Sequence, residues 1–494
     1  MAVDYTPEEL ISLKAEIKLS EKLIETDLEN RIVEAIERYT GRFVPEIATK
    51  WTILLNEIYP IIQYNLPAIF FRNPRVFLKP RQKFFIAKQR DKLTGETKQV
   101  QLESEKSAKT QEGILNYSLE QIRYKQEVRK TLLDALLFPH GILWHGYKGN
   151  FGMTQERSYY IQDESVFIMR LGPRNFIFDP SVSVENIDQG RWVGRSFWVR
   201  LVDVLEDDQL TVDKNQLRGV LGYGEKVSVP EQQFLNKGGQ DTIKLGAGLG
   251  KDLIDFTDSR FKGMPQARFL KLYEVFKRPS PKEQRKGEKG KIFVLCFEQT
   301  KPMRLNGWDY KAQGFPSKIL QFNPIPDKRF GMADYETYGT IADHKNLVIN
   351  QQIRNAEQLN RTIVGISKDG ANEEDILKMK KGENSIIEFD TEDVRSRMFV
   401  ANMGGGASQE LYLLDGRIDK NLQDKSGVSD LKKGFLQSGE ESATSVKLRN
   451  AGSSARPAYR QDLMADFLKE SCIYLNELLK QYMPVEEAVR IVGS

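Results

Sequence analysis

A glycine-rich stretch at residues 244–252 comes nearest to a site for chemistry, because its spacing approaches that of a phosphate-binding loop. The loop pattern requires a glycine five positions before Gly250 and a serine or threonine after Lys251. Those positions hold Leu245 and Asp252, so the backbone cradle and the hydroxyl ligand for Mg²⁺ are both missing. The stretch therefore predicts no nucleotide site.

The three histidines of the chain are His140, His145 and His344. His140 and His145 are five positions apart in a predicted strand, and an odd offset places two side chains on opposite faces. His344 lies beside Asp343 on a predicted helix, without a second ligand close to it in the sequence. A catalytic zinc site usually takes three protein ligands, so the histidines predict no bound metal.

Nucleophile signatures are equally sparse, since the chain contains no G-x-S-x-G pattern. Of the two cysteines, Cys296 lies in an apolar run that predicts a buried free thiol, and Cys472 is far from it. Two distant cysteines cannot build a disulfide framework, which indicates a reducing compartment. We therefore expect a protein that is not an enzyme, binds no metal and needs no cofactor.

Composition indicates a folded protein with more than one structural unit. The 494 residues exceed the size at which a single core stops growing, and 40% of them are hydrophobic. The net charge of +4 is too balanced for a high-affinity nucleic-acid coat, so any DNA contact is expected to be local or weak. Neither a signal peptide nor a run of about 18 apolar residues is present, which predicts an intracellular protein without a membrane span.

The first 330 residues predict a mixed α/β region. Helical spacing of apolar residues predicts helices over residues 6–39, 44–64 and 110–137. A period of two then predicts strands of one antiparallel sheet at residues 142–147, 166–171, 192–201, 268–276 and 291–297. The basic run at residues 277–291 predicts a solvated hairpin loop, with a nucleic-acid contact as the alternative.

The second half is ordered as helix, β-like insert, helix, loop and helix. The first helix carries many amides, among them Asn346 and Asn350, which predict contact with neighbouring helices or with a polyanion that must slide past. The last helix is expected to kink or break at residues 452–457, because Pro457 lies in its interior. The fold class that follows is α+β.

Four passages share residue patterns with one known family. They are residues 51–78 with Asn73-Pro74, residues 172–193 with a P-x-x-F-x-x-D-P pattern before Arg191-Trp192, residues 326–360 with Phe330-Gly331, and the Ser/Thr-rich residues 442–456. In these passages, and in the order of its elements, the chain resembles the portal (head-to-tail connector) proteins of tailed double-stranded DNA bacteriophages.

The resemblance implies a subunit with six parts. They would be a wing (1–330), a first stem helix (331–361), a small α/β clip (362–406), a second stem helix (407–424), a tunnel loop (425–441) and a long kinked helix (442–494) leading to a minimal or truncated crown. Such subunits form a closed ring, a homododecamer in the virion, through which DNA is packaged and ejected.

The resemblance also implies partners and a location. Double-stranded DNA would occupy the channel, and the terminase motor would dock on the ring and supply the ATP chemistry. Adaptor and tail proteins, major capsid protein and scaffolding protein would be further partners. The ring would lie at the capsid portal vertex of the virion after assembly in the host cytoplasm, without contact to a membrane.

Five basic residues are candidates for contact with DNA in the channel. They are Lys425, Lys432 and Lys433 in the predicted loop, and Lys447 and Arg449 at the start of the last helix. The alternative is that all five are ordinary solvated charges. Two other function classes also stay open, a DNA-acting enzyme and another virion assembly protein of the coat-like or adaptor kind.

Charge reversal in the loop tests this assignment. We expect Lys432→Glu combined with Lys433→Glu to leave ring assembly intact and to reduce the DNA packaged per particle, because negative side chains repel phosphate. Electron microscopy of the rings and the DNA content of purified particles would measure the two effects. Unchanged packaging would remove the loop from the mechanism.

Overall fold

The structure is a computed structural model that describes residues 5–43, 53–79, 84–90, 97–153, 159–207, 209–213, 215–217, 220–221, 268–359, 362–366, 398–402, 409–428 and 443–483. Within these ranges the chain is a mixed α+β protein, as the sequence predicted. The glycine-rich stretch at 244–252, both loop lysines Lys432 and Lys433, and most of the predicted clip lie outside the described residues.

Ten α-helices lie in the described part of the chain. They are α1 (Pro7–Asp27), α2 (Glu29–Thr40), α3 (Ile58–Ile69), α4 (Ser104–Gln121), α5 (Tyr124–Leu137), α6 (Leu201–Glu206), α7 (Pro281–Arg285), α8 (Gly339–Leu359), α9 (Gln409–Ser426) and α10 (Ala443–Tyr482). The hydroxyl of Thr6 caps α1 by accepting from Glu9 N at 3.2 Å. Gly41 ends α2 in the left-handed region, with φ at 72°.

The predicted helices exist, but their boundaries differ from the sequence pattern. The helix predicted over 6–39 is interrupted at Leu28, and the one predicted over 110–137 is interrupted at Arg123, whose φ is 54°. Of the helix predicted over 44–64, residues 44–52 lie outside the described residues, residues 53–57 are not helical, and α3 begins at Ile58. Pro60 then falls in the first turn of α3, where a missing N–H leaves no helical hydrogen bond unmade.

Thirteen strands lie in the described residues. They are β1 (Phe84–Arg90), β2 (Thr97–Glu103), β3 (Gly141–Met153), β4 (Tyr159–Leu171), β5 (Phe176–Phe178), β6 (Trp192–Arg200), β7 (Val220–Leu221), β8 (Arg268–Lys277), β9 (Gly290–Leu295), β10 (Arg304–Trp308), β11 (Ser317–Leu320), β12 (Thr362–Ile366) and β13 (Met398–Asn402). All their pairings are antiparallel.

All five predicted strands are present, but the prediction that they form one sheet is wrong. β3 and β4 pair with β11 in a three-stranded sheet, in the order β11-β3-β4. β6, β8 and β9 belong to a second sheet with the order β10-β9-β8-β6-β5, and β7 adds to β8. Alternation of side chains identifies a strand and its buried face, but it does not identify the partner strand.

The two helices α8 and α9 form an antiparallel hairpin. Gln352 Nε2 near the end of α8 donates to the Leu411 carbonyl at the start of α9, at 3.4 Å. Lys345 near the start of α8 pairs with Asp419 further along α9, at 2.8 Å. The ribbon of β12 and β13 follows α8 and precedes α9. The order predicted for this region, helix, β insert and helix, is therefore present.

Two boundaries in this region differ from the prediction. Residues 331–338 contain a 3₁₀ turn (Tyr335–Thr337) instead of helix, so the first helix begins at Gly339. The second helix extends to Ser426, which places Lys425 in its last turn and not in a loop. Basic side chains are favoured in a last turn, because they complement the exposed carbonyls there.

Of the kink or break expected in the last helix, the break is absent, since α10 is one continuous helix of 40 residues that runs through Pro457. An interior proline costs roughly 3 kcal/mol. The C-terminal half of α10 offsets this cost by burying Phe467, Leu475 and Leu478 in the main core. Tertiary packing of one face therefore overrides the local penalty.

Three strand-like segments dock on helices through side chains spaced four residues apart. Asn350 and Asn346 of α8 bind the backbone N–H and C=O of Ile53 and Leu55, with distances from 2.7 to 3.2 Å. Four helical residues rise about 6 Å, close to the span of two strand residues, so the two repeats match. The prediction is therefore wrong for Asn346 and Asn350, which bind a strand-like segment instead of a neighbouring helix or a polyanion.

The same arrangement occurs twice more. On α4, Asn116 binds both backbone groups of Val76, and Glu112 accepts from Leu78 N at 3.0 Å. On α10, Gln481 accepts from Lys311 N at 2.8 Å and donates to the Asp309 carbonyl. Glu477, four residues earlier, accepts from Gln313 N. Helix side chains thus satisfy backbone groups that no sheet covers.

Removing one of these amides should destabilise the protein. We expect Asn350→Ala to lower the free energy of unfolding by about 1–3 kcal/mol, because it leaves the N–H and C=O of Ile53 without their partner. Gln351→Ala, on an exposed position of the same helix, is the matched control and should change stability by less than about 0.5 kcal/mol. Urea unfolding of the three proteins would measure this, and equal stability of both variants would contradict it.

Candidate functional site

The structure separates the five predicted DNA-contact residues. Lys425 is exposed in the last turn of α9. Lys447 and Arg449 lie in the first turns of α10, for which the structure describes the backbone only. Lys432 and Lys433 lie outside the described residues. The structure therefore neither assembles these residues into a site nor excludes one.

A buried chain of hydrogen bonds is the arrangement that most resembles a catalytic one. Ser471 of α10 lies 2.7 Å from His145 Nε2, and its hydroxyl oxygen accepts from Tyr124 OH at 2.9 Å. The other ring nitrogen of His145 lies 3.0 Å from the Pro316 carbonyl. A carbonyl only accepts, so Nδ1 carries the proton and Nε2 accepts from the serine hydroxyl. A serine beside a neutral histidine is the geometry of an activated nucleophile.

Burial argues against catalysis by this pair. The side chains of Ser471, His145 and Tyr124 have no accessible surface, and the ring of Tyr474 packs 5.4 Å from that of His145. A nucleophile must reach a substrate, and among the residues that the structure describes no carboxylate contacts His145 to stabilise a charged ring. The network instead joins α10 to α5, β3 and the segment before β11. No sequence pattern indicates this network, because its members lie far apart in the chain.

The other histidines contact different surroundings. His140 precedes β3 and stacks on Phe330, with ring centres 5.8 Å apart. Burial, together with the charge of Arg31, lowers the pKa of His140 to about 3, so its ring is neutral. His140 and His145 therefore do not share a site. Among the residues that the structure describes, no three His, Cys, Asp or Glu side chains are grouped closely enough to hold a metal ion.

The motif around Asp179 joins the turn after β5 to the start of β6. The carboxylate of Asp179, which is buried, accepts from the backbone and hydroxyl of Ser181 and from the backbone and guanidinium of Arg191. These donors hold the pKa of Asp179 below its usual value despite the opposing effect of burial. Next to it, Trp192 Nε1 donates to Glu16 of α1 at 2.7 Å. The pairs Asp179-Pro180 and Arg191-Trp192 of the sequence motif therefore have a structural role.

The basic hairpin loop at residues 277–291 is only partly solvated, so that prediction needs correction. Lys277 and Lys291 lie at its base and pair with the two carboxylate oxygens of Glu9, at 2.7 and 3.0 Å. The middle of the loop forms α7 and is exposed. A cleft of about 640 Å³ separates the loop from α1, and its walls carry both signs of charge, including Glu16 and Lys286. Such walls do not select an anion.

Ion pairs fasten the start of α8 to two other helices. Arg31 of α2 binds Glu336 through two contacts of 2.8 Å, and Arg38 binds Asp343 through contacts of 2.7 and 2.8 Å. Arg460 of α10 pairs with Asp334, and both side chains are buried. The helical hairpin is therefore fixed rigidly where it leaves the main core.

The far part of this hairpin exposes apolar side chains, which we call the stem face. On α9 the exposed fractions are 61% for Tyr412, 60% for Leu413 and 43% for Leu414, and on α8 Leu347 is also exposed. The neighbouring Ile53, Leu55 and Tyr59 are exposed as well. Adjacent apolar residues of this size at a surface indicate an interaction site. Periodicity alone does not reveal this surface, because it does not say which apolar residues of a helix stay exposed.

No helix in the described ranges has both the length and the apolar composition that a membrane span requires.

The buried histidine makes stability depend on pH. Burial lowers the pKa of His145 to about 4, below the unfolded value of about 6.5. The unfolded chain therefore takes up the proton first as pH falls, so the stabilisation is complete above pH 6.5 and is lost towards pH 4. Between about pH 7 and pH 5 this loss amounts to about 2 kcal/mol.

Replacing the ring tests this contribution. We expect His145→Gln to be less stable than the native protein at neutral pH, and to lose about 2 kcal/mol less between pH 7 and pH 5. Urea unfolding at both pH values would measure the difference, and all other titrating groups are common to the two proteins. The same pH dependence in both would contradict a neutral buried His145.

A scan against protein-family models gave no match, and a search of the curated proteins gave none either.

Proposed function

We propose that the chain is a portal-type subunit, which assembles into a closed ring and conducts double-stranded DNA during packaging and ejection. The observation that carries this proposal is the order and arrangement of the second half. The helix α8 leads into a ribbon, α9 returns antiparallel to it, and a 40-residue helix follows after residues 429–442. This is the stem, clip, tunnel loop and long helix order that the resemblance implies.

The stem face supports assembly through two neighbours. Successive residues of a helix are rotated by about 100°, so Tyr412 and Leu414 lie about 200° apart and point to opposite flanks of α9. Both are exposed, as is Leu413 between them. A subunit in a head-to-tail ring contacts one neighbour on each side through different surfaces. Apolar residues on both flanks of a projecting hairpin fit that requirement better than a single dimer contact does.

Energetics favour burial of this surface. Covering a Leu or Phe-sized side chain contributes roughly 1.5–3 kcal/mol, so the residues of the stem face are enough to drive association when repeated around a ring. The rigid ion-paired start of α8 supports the same proposal, because a hairpin fixed in one direction presents its flanks at a constant angle. A fixed angle gives every contact the same rotation, and head-to-tail contacts form a ring where that rotation closes.

The role proposed for the subunit is passive. The Ser471–His145 pair is buried, so it does not present a nucleophile to a substrate. The motor, the adaptor and tail proteins, and the capsid and scaffolding proteins would dock on the ring at the virion vertex. Lys425, at the exposed end of α9, stays a candidate for the channel with Lys432, Lys433, Lys447 and Arg449.

Assembly of the purified full-length protein tests the proposal. We expect electron microscopy to show end-on rings with a channel wide enough for duplex DNA, and particle mass to give one subunit number. Leu413→Glu should reduce the ring fraction at least tenfold, because a buried unpaired charge is strongly unfavourable.

Ile325→Glu is the control, since Ile325 is an exposed apolar residue of similar size in a loop away from the hairpin. It should assemble like the native protein. Filaments or shells without closed rings would contradict the portal proposal and favour a coat-like assembly protein.

A further inference from the structure

A second surface, remote in sequence from the stem, combines exposed aromatic rings with positive charge. Residues 75–79 are strand-like, and α4 holds them through the backbone of Val76 and Leu78. Side chains alternate along such a segment, so Arg75, Phe77 and Lys79 are exposed while the residues between them are partly covered. We call Phe71, Arg72, Arg75, Phe77, Lys79 and Lys125 the basic strip.

The two phenylalanines of the strip are unusually accessible. Phe77 is 71% exposed and Phe71 is 61% exposed. An exposed phenylalanine gains nothing from folding, and its ring offers a flat apolar face to a ligand. Cations already gather at one of these rings, with Lys125 Nζ 5.9 Å and Arg72 Cζ 6.0 Å from the centre of Phe71. Phe71 therefore lies among cations, and Arg75, Phe77 and Lys79 follow it closely in the chain.

The charges of the strip are not neutralised by neighbouring acids in the described structure. Arg72, Arg75, Lys79 and Lys125 have no ion pair with a described residue. Glu112, whose carboxylate contacts this segment, accepts from Leu78 N. This contrasts with Lys277 and Lys291 of the hairpin loop, which are paired. The strip therefore has a local positive charge in a nearly balanced chain.

We propose that the basic strip binds single-stranded nucleic acid, with bases stacked on Phe77 and Phe71 and phosphates paired with the arginines and lysines. A groove or strip of cations with interleaved aromatic rings is the chemistry that recognises an unpaired strand without sequence preference. Bases of a duplex are stacked on each other and cannot offer their faces to a side chain. An acidic protein segment would use the cations but would leave the rings without a matching partner.

This contact is distinct from the DNA channel of the proposed function. It uses residues 71–79, which follow α3, and Lys125 of α5, and it selects an unpaired strand, whereas the channel would conduct a duplex. Loss of this binding would leave ring assembly unchanged, and loss of ring assembly would leave this binding unchanged. The two proposals can therefore fail separately.

Fluorescence polarisation of the full-length protein with a labelled oligothymidylate tests the inference. We expect Phe77→Ala to weaken binding roughly tenfold, as loss of one stacked base does. Arg75→Gln should also weaken it and reduce the slope of log affinity against log salt by about 0.7, the value for one phosphate contact on a single strand. The duplex of equal length should bind more weakly than the single strand.

Two controls match these changes elsewhere on the surface. Tyr459→Ala removes an exposed aromatic ring of α10, and Arg285→Gln removes an exposed charge of the hairpin loop. Both should bind within about twofold of the native protein, while urea unfolding confirms that all four variants are folded.

Three results would overturn the inference. The first is no binding of the oligonucleotide, or duplex binding as tight as single-strand binding. The second is an unchanged affinity of Phe77→Ala, which would mean attraction to any polyanion. The third is a preference for an acidic peptide over the oligonucleotide, which would assign the strip to a protein partner.

Discussion

The buried ion pair between Arg460 and Asp334 is the interaction on which the arrangement of this chain depends. It joins the long helix α10 to the turn before α8, and Arg31 and Arg38 add bidentate pairs from α2 within the next ten residues. Breaking a buried pair leaves an uncompensated charge and typically costs 3–5 kcal/mol. Hydrophobic contacts would tolerate small rotations of α8, whereas bidentate pairs fix its direction. The hairpin that projects from this point is therefore oriented by charge.

Helix side chains replace sheet neighbours in much of the remaining architecture. The amides of α8, α4 and α10 satisfy strand-like segments because the helical repeat of four residues matches the strand repeat of two. Segments held in this way are covered on one edge only, which leaves apolar and aromatic side chains such as Ile53, Leu55 and Phe77 exposed. The contacts between helix side chains and strand-like segments thus complete the fold and also leave exposed the two surfaces for which we propose partners.

Polar groups that suggest chemistry are used here for structure. Ser471 and His145 fasten α10 to the sheet of β3, and Asp179 organises the turn between β5 and β6. A protein that acts through its shape needs a stiff body and surfaces that neighbours can cover. The buried networks provide the stiffness, and the exposed faces of the hairpin and the strip provide the contacts. The proposed role as a ring-shaped conduit follows from that division.

The sequence by itself determined the α+β class, the positions of the five strands, the buried Cys296 and the order of helices in the second half, because local periodicity encodes an element and its buried face. Tertiary structure alone decided the division into two main sheets, the passage of α10 through Pro457 and the partners of Asn346 and Asn350. It also decided the pairing of His145 with Ser471, which are 326 positions apart. Spacing along the chain identifies neighbours within one helix or strand. Contacts between elements depend instead on how their faces pack and on which charged side chains are buried as pairs.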